Sequence, residues 1–598
     1  MISAHRDRAE LHDSVFGYAL DLIDKSGAAS AIDGAADSRR GPGGRTASEE
    51  IVYTTKAVLV AIVCLLDLGR QVSVAAILEF LFRWCTSSQR ERIGVVVSPS
   101  AIASMSDRSS ATREYARFHA WLTRRLLPLD SLFDVTARVT TNQERDTILA
   151  NRTAQDRDAA EAALVLCDRI VNDIVAASID DPCPSGYAGD LLVDETTLQT
   201  AQSKPGMGNQ PALKRPAAPA ARTYVRSRGV VSDAPDQAGQ KVTKSGAGVG
   251  VTALTRIGPP TRIRNVPRAI TSIIVREPTS ANLRALDLAL ENHVSRGFDP
   301  RARNPLRGAN ARWPRLIGDM GYNVKTGWQD VLYRHRYSAV ARYPANWPLT
   351  HETQHPRSNS GERTDPGPVQ IEGAFYCPAV LQARQHRLAI PIRGMSAKDL
   401  DGHDARIKAR LQYAMGTNGR ITKAAPRRGR PSKAKPAEDV FKIALICPAV
   451  QGRADCLFRP NADIDPAVHP TIRPDWEPER YECCTRSHVT VTMTERQARE
   501  YQHLPAGSWE HALIYESGRA LTENGFSLLK SPYLTRLDNV SAGPRREPFM
   551  KLLIAIAVAL TNRQLAQHQH SDQDSYSERL ARIHAAIGRE PFRVPPRT

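Results

Sequence analysis

Two short apolar runs in this chain each stop on an aspartate. In GDLLVDETTL the run ends at Asp194, and in WPRLIGDMGYN it ends at Asp319. Runs this brief and this apolar read as buried strands. A buried strand that closes on an acid fixes a carboxylate at the end of a sheet. Between the two runs, KVTKSGAGVGVTALTRI reads as a strand with a Gly-rich entry, and SANLRALDLALENHVSRG as an amphipathic helix. The glycine spacing does not fit a phosphate-binding loop, because no GK[ST] follows. Strands interleaved with helices place this half of the chain in the α/β class.

The first half has another character. Residues 49 to 175 are helical by pattern, with stretches such as TKAVLVAIVCLLDLG and VSVAAILEFLFRWC. Leu68-Gly69 followed by Ser73, a good N-cap, predicts two helices joined by a short turn. That unit is either an ordinary helical hairpin or a helix-turn-helix DNA reader. Residues 27 to 48, rich in Gly, Ala, Ser and Arg, read as flexible. A chain of 598 residues exceeds one core. The expected division is a flexible segment at 1–48, a helical unit at 49–185 that could bind DNA, a first α/β part at 186–345, an insertion at 346–500, a closing part at 501–570 and a polar tail at 571–598.

Lys and Arg number 81 against 63 acids, a net charge of +18. Such a surplus favours a polyanionic partner, nucleic acid before membrane, although an Arg-biased composition produces the same count. Two stretches concentrate the charge. Gln202 to Ser232 hold six basic residues and no acid, and 405 to 436 hold ten and no acid. The second contains Arg428-Gly429-Arg430-Pro431, the core of an AT-hook that would lie in a narrow minor groove; a solvated linker is the other reading. Val58–Leu66 and Leu552–Leu560 are apolar but too short to span a bilayer and read as buried helices. The polar N-terminus lacks a signal-peptide core, so a cytoplasmic, nucleoid-associated protein is expected.

Near the end, YESGRALTENGFSLLK carries Arg519, Glu523 four residues on and Lys530 seven further. On a helix these fall within one stripe. A solvated face is the ordinary explanation of such a trio. A carboxylate between two cations is also what an enzyme needs to hold a metal ion against a phosphodiester. Two Mg²⁺ ions roughly 3.5–4 Å apart would activate a water or 3′ hydroxyl and stabilise the leaving oxygen, held by carboxylate oxygens. Asp194, Asp319 and Glu523 are the candidate ligands for Mg²⁺ or Mn²⁺. Arg519 and Lys530 would contact phosphates. Glu195 should face the other side of its strand, Asp190 lies at the strand's start, and Glu516 is an alternative third acid. Gly518 and Gly525 would each weaken the helix by roughly 1 kcal/mol.

At these residues the chain resembles the DDE transposases of bacterial insertion sequences that carry a Tyr-Arg-Glu-Lys signature. Arg519, Glu523 and Lys530 fit its interval; Tyr515 stands one residue too far from Arg519. GDMGY (Asp319, Gly321, Tyr322) looks like the family's second box and LLVDETTL like its first. The resemblance takes in SDAPDQAG at 232–239, EGAFYCPA at 372–379, the CPA at Cys447, CCTRSHVTV and the helix near Ala555, covering roughly residues 186 to 565. It implies an RNase H-like α/β core with a cysteine-containing insertion, preceded by a helical N-terminal domain. It also implies Mg²⁺-dependent cleavage and strand transfer of double-stranded DNA, by a homodimer in the DNA complex. Tyr322 would join Arg519 and Lys530 at the DNA. A domesticated, non-catalytic DNA-binding protein and a nuclease without strand transfer are the rival readings.

Between Asp319 and Glu523 lie 203 residues, more than a minimal nuclease core needs there. Of nine cysteines, Cys64, Cys85 and Cys167 lie in helical patterns and read as core, and Cys183 lies in a turn. The other five, Cys377, Cys447, Cys456, Cys483 and Cys484, fall within 108 residues of the insertion. Cys377, Cys447, Cys456 and Cys484 could form a tetrahedral zinc site, with Cys483 or His488 as substitutes. No CxxC knuckle occurs, so reduced, buried thiols remain the other reading.

Overall fold

A computed structural model describes residues 13–39, 51–136, 142–200, 221–230, 239–259, 266–278, 282–303, 313–344, 347, 350–353, 355, 364–383, 397–418, 420–424, 440–460, 471–506, 508–531, 535, 537 and 546–569. Arg428 and Arg430, most of SDAPDQAG and the polar tail at 571–598 lie outside the described residues.

The chain opens on helices α1 (Asp13–Ser26), α2 (Ala28–Asp37) and α3 (Thr55–Asp67), and later the long α4 (Ala154–Ala177). Residues 13–37 were expected to be flexible. They are helical because Phe16, Ala19, Leu22, Ile23 and Ile32 recur at helical spacing and are all buried. Ala-rich sequence favours a helix once one face is covered. The turn after α3 is as the sequence predicts: Gly69 takes a left-handed φ of 64°, and the Ser73 side chain accepts the Ala76 N–H at 3.1 Å. α3 is buried along nearly its whole length, which makes this hairpin part of a helical core.

The sheet follows: β1 (Leu191–Gln199), β2 (Arg222–Val230), the long β3 (Gly239–Arg256), β4 (Ala269–Arg276), β5 (Arg315–Gly318) and β6 (Ser338–Val340). β3 pairs antiparallel with β1, β2 and β4, while β5 pairs parallel with both β1 and β6. Helices α5 (Asn282–Ser295) and α6 (Trp328–His335) connect the later strands. They cover one face through Leu286, Leu290, Trp328 and Leu332, which pack on Leu191, Val193 and Leu316.

A further group of strands follows β6 in the chain. It holds β7 (Val369–Ile371) paired with β8 (Ala374–Tyr376), and β9 (Val440–Ile446) paired with β10 (His488–Met493). Within the stretch read as a basic loop, residues 405–411 complete a helix begun at Ala397. Among the described residues of this stretch, Arg410 and Lys423 serve the fold: Arg410 is buried against the Glu372 carboxylate at 2.6 Å, and Lys423 pairs with Asp330 at 2.8 Å.

Helices α7 (Trp509–Leu529) and α8 (Glu547–Gln569) return to the sheet's other face. α8 contains a 21-residue stretch long and apolar enough to cross a membrane, more than the sequence reading of Leu552–Leu560 allowed, but 83% of its most apolar window is buried inside the protein. It packs against α4, α3 and β4, so one apolar cluster runs from Phe16 through Ile273 to Leu553. Lys551 sits inside that packing, 3.2 Å from Asp168 and 2.8 Å from Glu547, and Arg276 of β4 also pairs with Asp168. Burial opposes the Lys551 charge, yet the two carboxylates hold its pKa above the usual lysine range.

Candidate catalytic site

Strand alternation decides where the acids of β1 point. Leu191 and Val193 enter the core under α5 and α6, while Leu192 packs with Ile317, Ile514, Tyr515 and Leu521 on the opposite face. Asp194, two residues after Leu192, therefore shares the α7 face, and Glu195 turns to the other. On β5 the same rule puts Asp319 on the face of Ile317. The parallel register pairs Val193 with Gly318. The next residues are Asp194, which lies within β1 and not at its end as the sequence suggests, and Asp319, just past the end of β5, so the two carboxylates come from neighbouring segments at the same level. Asp194 Oδ1 accepts the Glu195 N–H and Asp319 Oδ1 the Gly321 N–H, each at 2.7 Å.

Helix α7 crosses that face because Gly518 lets it approach. A Cβ on Gly518 would stand 2.8 Å from Leu192 Cδ2 and 3.1 Å from Ile317 Cγ2. These are the residues two positions before the two acids. One turn on, the Arg519 Nη2 donates to Glu523 Oε1 at 3.2 Å. Burial works against the Arg519 charge, but the Tyr515 hydroxyl and the fields of Asp194 and Asp319 hold its pKa above the guanidinium norm. One corner of the molecule thus collects Asp194, Asp319, Tyr515, Arg519 and Glu523. Tyr515, one residue off the family spacing, lies a helical turn before Arg519 and is within its hydrogen-bonding reach.

Glu523 faces outward, with 67% of its side chain exposed and its carboxylate on Arg519. Among the described residues, no three His, Cys, Asp or Glu side chains are gathered closely enough to hold a metal ion as they stand. Lys530 closes α7 as its C-cap. The side chain of Glu516 lies outside the described residues. Asp190 has a structural role, accepting the Arg315 N–H at 2.6 Å and so joining the starts of β1 and β5.

Tyr322 corrects the sequence reading. It is 1% exposed and packs against Trp328 under the sheet, which makes it a core residue with no surface to offer DNA. Burial first, then the nearby charges of Asp194 and Glu195, push its pKa well above the tyrosine norm. Sequence reasoning also missed Arg268. Its guanidinium donates to Leu521 O at 3.2 Å and Asn524 Oδ1 at 3.0 Å, fastening α7 to the start of β4. No local pattern marks such a residue, because its partners are 253 and 256 positions away.

The five cysteines between 377 and 484 also converge. Cys377, Cys447, Cys456, Cys483 and Cys484 line one small cavity with Arg459. His488 lies exposed on β10, hydrogen-bonded to Ser487. Cys64, Cys85 and Cys167 are core residues, as expected, and the Cys183 thiol donates to Gly297 O at 3.2 Å.

No protein-family model matches the chain, and no curated protein is significantly similar to it.

Proposed function

We propose that this chain is a transposase, an enzyme that cuts DNA at the ends of a mobile element and joins them to a target by Mg²⁺-dependent phosphoryl transfer on an RNase H-like core. The observation that carries the reading is the register of β1 and β5. Two parallel neighbours deliver Asp194 and Asp319 side by side on the face that α7 crosses with Arg519 and Glu523. The strand arrangement supports the same reading: three strands paired antiparallel in the order β1, β3, β4, then two added parallel on the far side of β1.

The donor set is all carboxylate oxygen, which suits Mg²⁺ or Mn²⁺; Asp194, Asp319 and Glu523 are the residues that would hold it. When bound, the metal supplies activation of the attacking hydroxyl and stabilisation of the leaving oxygen. Arg519 does the rest of the positioning. Its planar fork suits a phosphate as well as a carboxylate. A DNA phosphate competing for that fork releases Glu523 toward the two aspartates. The net charge of +18 favours the DNA encounter, and double-stranded DNA, a homodimer in the complex and residence on the nucleoid follow from the same reading.

The Arg519–Glu523 pair and the outward Glu523 favour one other reading, a DNA-binding protein that keeps this fold without catalysis. Incubating the purified full chain with duplex DNA carrying the sequences that flank its coding region separates the two. A transposase yields Mg²⁺-dependent breaks at the ends and joined products. Binding without cleavage in either Mg²⁺ or Mn²⁺ overturns the catalytic reading.

A further inference from the structure

The insertion's cysteines are packed unlike the others in this chain. Three sit on turns whose backbone N–H groups point at the sulfur: Ala379 at Cys377, Ala449 and Val450 at Cys447, and Phe458 and Arg459 at Cys456. Cys64 and Cys85, in the helical core, receive no such donors among the described residues. Four sulfurs from different elements surround one void: the turn after β8, the end of β9, the Asp455–Cys456 bridge and the 482–485 turn. The void measures about 10 Å³, the room a single water-sized body occupies.

Arg459 gives a second, independent sign. It lines the same cavity, its Nε donates to Cys484 O at 3.2 Å, and its buried Nη2 has no hydrogen-bond partner among the described residues. A buried guanidinium N–H without a partner is costly. It becomes reasonable beside a centre of net negative charge. A divalent ion held by four thiolates carries that charge.

We propose that Cys377, Cys447, Cys456 and Cys484 bind one Zn²⁺ ion that staples the insertion together, with Arg459 balancing part of its charge. Tetrahedral sulfur sites take zinc in closed structural positions. Each thiol gives up its proton to solvent as its bond to zinc forms, and no oxidant or reductant is needed. The sulfurs do not yet stand at ligand spacing; each cysteine has one side-chain torsion to adjust, and the ion draws them in. Cys483 is the lining thiol left out. Its Sγ lies against Gly367, where a Cβ would meet it at 2.6 Å, and its thiol hydrogen-bonds the Cys484 sulfur, so it stands beside the ligand set and supports one of its members.

The test uses the full chain, stripped with chelator under reducing conditions and reconstituted with Zn²⁺ or Co²⁺ alone. We expect about one zinc per chain by elemental analysis, as for a closed structural site. Cobalt should give the intense visible bands and near-ultraviolet thiolate charge-transfer band of a tetrahedral sulfur site. Cys484→Ser should lose the metal and Cys483→Ser keep it. Arg459→Gln should weaken zinc binding on the order of 10–100-fold. Because a ligand variant could simply misfold, the wild-type cobalt spectrum and the Cys483→Ser protein decide independently. Wild-type protein that binds no zinc, or takes iron instead, overturns the proposal. Loss of metal in Cys483→Ser with retention in Cys484→Ser overturns the ligand assignment.

Discussion

Replacing Gly518 with Ala probes how α7 reaches Asp194 and Asp319. The new Cβ would lie 2.8 Å from Leu192 Cδ2, 3.1 Å from Ile317 Cγ2 and 3.2 Å from Ile317 Cδ1. Carbon atoms rest at about 3.5–4.0 Å, so relief requires an outward shift of α7 of roughly 0.5–1 Å. Leu192 and Ile317 are 1% and 3% exposed and have little space to retreat into. Overpacking of this kind costs about 1–3 kcal/mol, and removing a helical glycine returns about 1 kcal/mol. The net loss of stability is therefore about 0–2 kcal/mol. Activity should suffer more, because Arg519 and Glu523 ride on the displaced helix, and a misplacement near 1 Å costs about 100-fold in rate. Gly525→Ala is the control. Nothing lies within 4 Å of its added Cβ, so that variant should gain about 1 kcal/mol and cleave normally. Denaturant unfolding and Mg²⁺-dependent cleavage of end DNA, measured on both variants, give the answer. Wild-type stability and wild-type cleavage in Gly518→Ala would refute the seating of α7 on Leu192 and Ile317.

Two further outcomes concern the fold itself. Lys551→Met leaves Asp168 and Glu547 facing each other in the core with Arg276 as their remaining cation. Breaking a buried pair typically costs 3–5 kcal/mol, so denaturant unfolding should move by about that much; an unchanged midpoint would mean the network is not buried as described. Burial lowers the pKa of His293 to about 3 and of His511 to about 4, against 6.5 when exposed. The unfolded chain therefore binds more protons than the folded one from pH 6.5 down to about 4 at His511 and about 3 at His293. Stability contributed by these neutral rings is complete above pH 6.5 and is lost as pH falls through that window. His511→Gln should flatten the acid limb of a melting-temperature profile, and an identical limb would contradict it.

The strands that carry Asp194 and Asp319 were legible because their signal is local, a brief apolar run beside an acid, but the end of the first was not: β1 continues past Asp194 to Gln199, because its pairing with β3 extends that far. Ser73 was legible too, because its cap needs only its neighbours. Residues 13–37 misled because Gly, Ala and Ser suit a linker and a covered helix equally, and the cover comes from α3 and α4. Tyr322 looked like a surface residue because its box was read as a motif, whereas Trp328 and the sheet decide its burial. Gly518 read as a helix weakener; its purpose shows only against Leu192 and Ile317, which are far away in sequence. Arg410 and Lys423 counted as free charge in a basic run, but their partners, Glu372 and Asp330, lie 38 and 93 positions away. The cysteine cluster draws on four separate elements, so no short spacing could announce it.

The central claim is that Asp194, Asp319 and Glu523 act together on DNA. The most direct measurement is Mg²⁺-dependent cleavage of end DNA by Asp194→Asn, Asp319→Asn and Glu523→Gln, each beside its DNA affinity. The substitutions remove metal-binding charge with little change of shape, and they remove repulsion toward phosphate. Cleavage should vanish in all three while binding stays equal or tightens. Full cleavage by Glu523→Gln would contradict the assignment of the third acid, and full cleavage by either aspartate variant would contradict the account as a whole.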